Sequence, residues 1–146
     1  MQLTQFSDFS LRVLLYLGMH PGQRCTIDQI SKRFAIPRNH LVKVVHQLSQ
    51  KGHIESFRGQ NGGIRLAHDP KSYRIGDLIC STEPHMNLVD CFDQKYTTCP
   101  IARVCELEVV LHKARQVFLD TLNEYSLADF LNAKSARQTM KILELG

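Results

Sequence analysis

Residues 26–67 constrain the fold most tightly, because their start and stop signals allow few arrangements. Thr26 followed by Gln29 is a capping box, in which each residue's side chain meets an orphan backbone donor of the other. It predicts a helix running to about Phe34. Ala35, Ile36 and Pro37 leave room only for a tight connection, and Pro37 suits the first turn of a further helix. In that helix Leu41, Val44, Val45 and Leu48 fall at i, i+3, i+4 and i+7, the spacing of one buried face, and Gly52 is its C-terminal cap. Two extended segments follow, His53 to Arg58 and Ile64 to Ala67. The turn between them carries an Asn61-Gly62 pair, expected to supply positive-φ residues. Upstream, residues 3–19 place Leu3, Phe6, Phe9, Val13, Leu14 and Leu17 in a dense helical pattern stopped by Pro21-Gly22. Helix, capped helix, tight turn, helix and hairpin in this order predict a winged helix–turn–helix.

The third helix then has a polar side made of Arg38, Asn39, His40, Lys43 and Gln47, donors able to reach base edges and phosphates from a major groove. On the hairpin Arg58, Gln60, Asn61 and Arg65 surround the tip, near a minor groove or phosphates. A lone amphipathic helix with such a face is more often just solvated. The ordered series of elements reverses those odds. Charge agrees: the chain carries +4 overall, but residues 1–75 hold eleven Lys/Arg against four acids and residues 76–146 hold seven against ten. A basic half joined to an acidic half suits a DNA-binding head on a self-associating body.

Beyond the hairpin, a short helix from about Tyr73 ends before Pro84, and a polar stretch follows with Cys91, Cys99 and Cys105. From Cys105 onward Leu107, Leu111, Ala114, Phe118, Leu122 and Tyr125 recur at intervals of three and four, predicting a long helix with one apolar stripe. Ser126 opens a short last helix, and the tail from Ala133 is expected to fray. On so small a chain the stripe predicts pairing with a second copy, giving a homodimer whose two recognition helices meet a palindromic operator. The expected fold is mainly α with a small β wing. A winged helix–turn–helix DNA-binding domain occupies 1–80, and a cluster-binding loop with a long dimerisation helix occupies 81–146.

Five cysteines, an odd number, argue against a disulfide framework, and no apolar run approaches the ~20 residues of a membrane span. A cytoplasmic protein with no membrane partner is expected, with thiols used for metal ligation, redox chemistry or burial. Seven residues separate the first two cysteines of the loop and five the last two. There is no Cys-x-x-Cys pair of the zinc or dithiol kind. Such gaps suit the separately reached corners of an iron–sulfur cluster, while zinc and free redox thiols stay open. Cys25 and Cys80 are expected as small buried hydrophobes. No nucleotide-binding glycine loop and no nucleophile–base spacing points to an enzyme. Asp8 sits in the first turn of a helix, where the dipole favours an acid, with Arg12 one turn on.

The segments FSDFSLRVLLYL from Phe6, PRNHLVKVVHQLS from Pro37, RGQNGGIRLA from Arg58 and RIGDLI from Arg74, with the cysteine triplet, carry a resemblance. The chain resembles, from Met1 to about Leu131, the nitric-oxide-sensing repressors of the winged-helix iron–sulfur regulator family that also contains IscR. That resemblance implies an iron–sulfur cluster, 4Fe–4S before 2Fe–2S, held by Cys91, Cys99 and Cys105. It also implies a fourth ligand, an aspartate from the first helix of the other subunit. Asp8 occupies that place, with Arg12 in support. IscR-like proteins typically carry a histidine three residues after the last cysteine, where this chain has Glu108. His85 and His112 are the nearest other candidates, each expected as a surface or packing histidine. The implied function is a repressor that holds its operator when loaded and releases it after reaction with nitric oxide, the effector. The competing readings are an IscR-like sensor of iron or redox state and a zinc or thiol module without nitric-oxide sensing.

Overall fold

The computed structural model describes residues 2–93, 95, 97–102, 104–131 and 134–145. Helix α1 spans Gln5–Met19, and its cap Thr4 accepts the Ser7 N–H on its hydroxyl at 3.2 Å. Helix α2 (Ile27–Phe34) opens on the predicted capping box: Thr26 Oγ1 accepts from Gln29 N–H at 3.2 Å, and Gln29 Oε1 accepts from Thr26 N–H at 2.7 Å. The turn out of α2 is made by Ala35, in the left-handed region at φ 52°, an uncommon place for a side chain with a Cβ. Ser31 steadies it by donating from its hydroxyl to the Ile36 carbonyl at 2.7 Å. Helix α3 (Arg38–Gln50) has Pro37 as its cap, one position earlier than expected, and buries Leu41, Val44, Val45 and Leu48. Gly52, at φ 74°, follows its end.

Strands β1 (Ile54–Phe57) and β2 (Gly63–Leu66) pair antiparallel, Ile54 opposite Leu66 and Phe57 opposite Gly63. The five-residue connection carries its positive φ at Gly59, 94°, and Gly63, φ 153°, opens β2 beyond it. This corrects the expectation placed on Asn61-Gly62, which belongs to two-residue hairpins. Gly62 matters for closeness instead, since a Cβ there would stand 2.8 Å from the Phe57 carbonyl. The sheet is extended by Cys25, which exchanges both backbone hydrogen bonds with Ile64 at 2.9 and 2.8 Å.

A 3-10 turn at Pro70–Ser72 leads into α4 (Ile75–Thr82), and a second, Asp90–Phe92, lies in the cysteine loop. Helices α5 (Glu106–Asn123), α6 (Leu127–Leu131) and α7 (Lys134–Leu145) complete the chain. The architecture is mainly α with a two-stranded wing, as expected. Leu14, Ile30, Leu41, Leu48, Leu78 and Leu127 belong to one core, so α6 packs back into the head. Its approach to α1 is close: a Cβ on Gly18 would stand 2.7 Å from Leu131 Cδ1.

Two expectations are corrected here. Ala133, where fraying was expected to begin, lies outside the described residues, but Lys134–Leu145 is helical and Leu143 packs against the core. The apolar stripe of α5 also differs. Leu111, Phe118 and Leu122 are half-buried, whereas Leu107, Val110 and Val117 are 62%, 61% and 55% exposed. The helix has two apolar sides, because its inner side is taken by α4. Gly76 of α4 permits that contact, since a Cβ there would stand 2.6 Å from Asn123 Oδ1 and 2.8 Å from the Leu119 carbonyl. Asn123 in turn accepts the Asp77 N–H at 3.0 Å and donates to Asp77 Oδ1 at 3.0 Å.

Candidate functional site

Burial of one face of α3 leaves the other to solvent. Arg38, Asn39, His40, Lys43 and Gln47 are all exposed there, together with Val42, His46 and Gln50. His46 shares the outward side by periodicity alone, three residues beyond Lys43 and seven beyond Asn39. Arg38 Nε pairs with Asp28 Oδ1 at 2.8 Å, but both side chains are largely exposed, and such pairs contribute under about 1 kcal/mol. The guanidinium is therefore open to a stronger partner such as a phosphate. The His40 ring stacks 6.1 Å from Phe9, joining α3 to the helix that carries Asp8.

On the wing Arg58, Gln60, Asn61 and Arg65 are exposed. Arg65 pairs with Glu55, its cross-strand partner, at 2.7 Å and stands 5.1 Å from the Phe57 ring. Arg24 takes part without having been anticipated. Its guanidinium lies 3.9 Å over the Phe57 ring, and its Nη1 donates to the Asn61 carbonyl at 3.0 Å. That pins the wing tip to the turn before α2. The contact spans 37 positions, so no local motif announces it.

In the cysteine loop, Cys91 is half-buried in the Asp90–Phe92 turn, Cys99 is exposed, and Cys105 caps α5. Phe92 fastens the loop to α5: its ring stacks on His112 at 3.8 Å, and the Arg115 guanidinium lies 5.0 Å from its centre. Arg115 Nη2 donates to His112 Nδ1 at 3.3 Å, so the ring hydrogen is on Nε2, facing Glu108 Oε1 at 3.6 Å. His112 is thus a packing histidine, as expected. The Cys91 thiol is pushed up by partial burial, then by the charge of Glu108, with Cys99 and Cys105 adding to it. Cys99 and Cys105 thus both lie near enough to Cys91 for their charge to act on it. Asp8 is not among the charges that act on Cys91.

Asp8 lies in the first turn of α1 with Arg12 bound to it at 2.7 and 3.1 Å. Just before the loop, Glu83 at the end of α4 accepts the Thr4 N–H at 2.8 Å and the Thr4 hydroxyl at 3.1 Å. Partial burial raises the Glu83 carboxyl, but hydrogen bonds from Ser7 and Thr4 and the charge of His85 outweigh this and hold it below the usual carboxylate range. Cys25 is buried, as expected. Cys80 is exposed, a correction: α4 turns Gly76, Leu78, Ile79 and Thr82 inward and leaves Cys80 outside. Among the described residues, no three His, Cys, Asp or Glu side chains converge tightly enough to hold a single metal ion.

Residues 3–133 match the Rrf2 family, described as iron-dependent transcriptional regulators. The chain belongs to the Rrf2 family. It is 41% identical over 146 residues to the HTH-type transcriptional regulator NsrR of Bacillus subtilis (strain 168), covering 99% of each chain. With NsrR of Geobacillus kaustophilus (strain HTA426) it shares 40% identity over 141 residues, 96% of each. The fold is shared with solved structures of lower identity. IscR of T. potens superposes with a TM-score of 0.72 at 21% identity, over 90% of this chain and 86% of that one. CymR, the global cysteine regulator of B. subtilis, gives 0.70 at 20%, over 89% and 95%. The expected family resemblance therefore holds, and the relatives are named as transcriptional regulators, not enzymes. Among the described residues, no helix is long and apolar enough to cross a membrane.

Proposed function

We propose that this Rrf2 regulator is a cytoplasmic homodimeric repressor that binds a palindromic operator, and that an iron–sulfur cluster reactive toward nitric oxide sets its affinity. The observation that carries the reading is the grouping of Cys91, Cys99 and Cys105 in one loop fastened to α5, in a chain 41% identical end to end to NsrR. The donor set fits such a group. Three soft thiols are spread around a loop rather than converged on one ion, and thiolates are the usual ligands of iron–sulfur clusters. The proposed fourth ligand is the partner subunit's Asp8, and the form favoured is 4Fe–4S over 2Fe–2S. When bound, the cluster supplies iron that reacts with nitric oxide.

The rest of the mechanism belongs to the chain's own side chains. Three thiolates would hold the cluster tightly, and Asp8, a hard and weaker partner for iron, would be the most exchangeable ligand. Arg12, 2.7 Å from the carboxylate on the same helix, would hold it when it is not bound to iron. Because Phe9 next to Asp8 contacts His40, a shift at the start of α1 reaches the recognition helix. The outer ridge of α5, with Leu107, Val110, Ala114 and Val117 at intervals of three and four, is the proposed dimer contact. Two copies so joined would present α3 and the wing to half-sites ~34 Å apart. Iron and sulfide analysis of anaerobically purified protein tests the cofactor. Bound iron with a matching amount of sulfide is expected, and zinc without a chromophore would replace this reading by the zinc module.

A further inference from the structure

We propose that Val42 reads the methyl group of a thymine in each half-site and so sets sequence preference at one base pair. The inference rests on the reading of α3 as the recognition helix. Among the described residues the exposed large hydrophobics run from Val89 to Ile142, on the loop and the C-terminal helices, with one exception. That exception is Val42, 40% exposed. It is absent from the hydrophobic side chains packed against the core. Of its four neighbours one turn away on the helix, Arg38, Asn39 and His46 are polar and exposed, and Val45 is buried toward the core.

A single exposed valine ordinarily needs no explanation. Its position gives it one here, because the N-terminal half of a recognition helix is the part that meets base edges. The major groove offers one apolar group, the C5-methyl of thymine. Val42 is β-branched and holds one χ1 rotamer in a helix, so its methyls are already positioned for contact. A cytosine in the same place would present an amino donor to the isopropyl group and leave it unpaired. Arg38 and Asn39 alongside have the donor geometry for guanine and adenine edges, so the apolar side chain completes a mixed reading surface.

The test sets the full-length, anaerobically purified protein against two pools of randomised duplexes, one with thymine and one with uracil in its place, which removes only the C5-methyl. The wild type should enrich a palindrome with thymine at a fixed position in each half-site and lose that preference in the uracil pool. On a recovered operator, replacing that thymine by uracil in one half-site should weaken binding roughly fourfold, the worth of one methyl-sized group removed from water. Val42→Ala should bind thymine and uracil operators alike while keeping the wild-type circular dichroism and melting midpoint. Val42→Ile should keep the discrimination. A wild type indifferent to the methyl, or a Val42→Ala variant that still discriminates, overturns the inference and leaves the DNA-reading role of α3 standing. Enrichment of no sequence from either pool overturns both.

Discussion

Asp8 and Arg12, one turn apart on α1, form a two-pronged ion pair with Nη2 to Oδ2 at 2.7 Å and Nε to Oδ1 at 3.1 Å. Both carboxylate oxygens are engaged, so any other ligand of Asp8 competes with the guanidinium. The pair is partly exposed and within one helix, worth on the order of 0.5 kcal/mol, which iron ligation can outbid. Asp8→Ala should therefore leave the fold and dimer intact but make the iron–sulfur centre labile. Loss of visible absorption in the presence of a chelator should be at least roughly tenfold faster, about 1.4 kcal/mol of lost ligation. An unchanged rate would remove Asp8 from the ligand set.

The five cysteines should divide sharply under substitution. Cys91→Ala, Cys99→Ala and Cys105→Ala should each abolish bound iron and sulfide. Cys80 is exposed on α4, so Cys80→Ala should change neither cofactor content nor stability. Cys25 is buried beside the wing, and Cys25→Ala should cost about 1 kcal/mol by leaving a small void while iron content stays at the wild-type level. Iron analysis with urea denaturation separates these outcomes.

Gly76→Ala tests the crossing of α4 and α5. The new Cβ would meet Asn123 Oδ1 and the Leu119 carbonyl, and the latter is backbone that cannot swing aside. A loss of about 1–3 kcal/mol is expected, read as a lower melting midpoint. An unchanged midpoint would contradict the close contact.

Glu83 gives a pH dependence. Its carboxyl is held below its ordinary value of 4.5, so the clasp to Thr4 and Ser7 stabilises the fold above that value and is lost as pH falls through the folded one. Stability measured by urea denaturation should drop more steeply between about pH 5 and pH 3 in the wild type than in Glu83→Gln. Parallel profiles would show that the clasp contributes nothing.

Arg58 on the wing and Arg24 in the turn that holds it should act differently. Arg58, exposed at the hairpin, is expected to meet a phosphate, so Arg58→Ala should weaken operator binding and lower the salt slope by about one. Arg24 holds the tip through Phe57 and the Asn61 carbonyl, so Arg24→Ala should weaken binding with the slope kept. Neither change should alter iron content. Equal slope changes would make Arg24 a phosphate contact as well.

Much of the head was legible because its signals are local. The Thr26–Gln29 box, the spacing of Leu41, Val44, Val45 and Leu48, and Gly52 are each complete within one or two turns of chain. The misreadings have a common physical origin, in that tertiary partners decided them. The wing's positive φ values fall at Gly59 and Gly63, not at the Asn61-Gly62 pair, and β2 takes Cys25 as a further backbone partner from 39 positions away at Ile64. Periodicity alone could not say which apolar side of α5 would be taken by Gly76 and α4. Nothing local in the stretch 134–145 shows Leu143 reaching the core. For the site, cysteine spacing pointed to a shared loop, but the Phe92–His112 stack that fastens it had no signature in sequence.

The most direct test of the central claim is one titration. Anaerobically purified protein is mixed with nitric oxide in steps while visible absorption and operator retention are followed on the same sample. The account predicts a coloured protein whose absorption changes in step with release of the DNA. A protein that keeps its operator unchanged while its chromophore reacts, or that has no chromophore and is indifferent to nitric oxide, would contradict it.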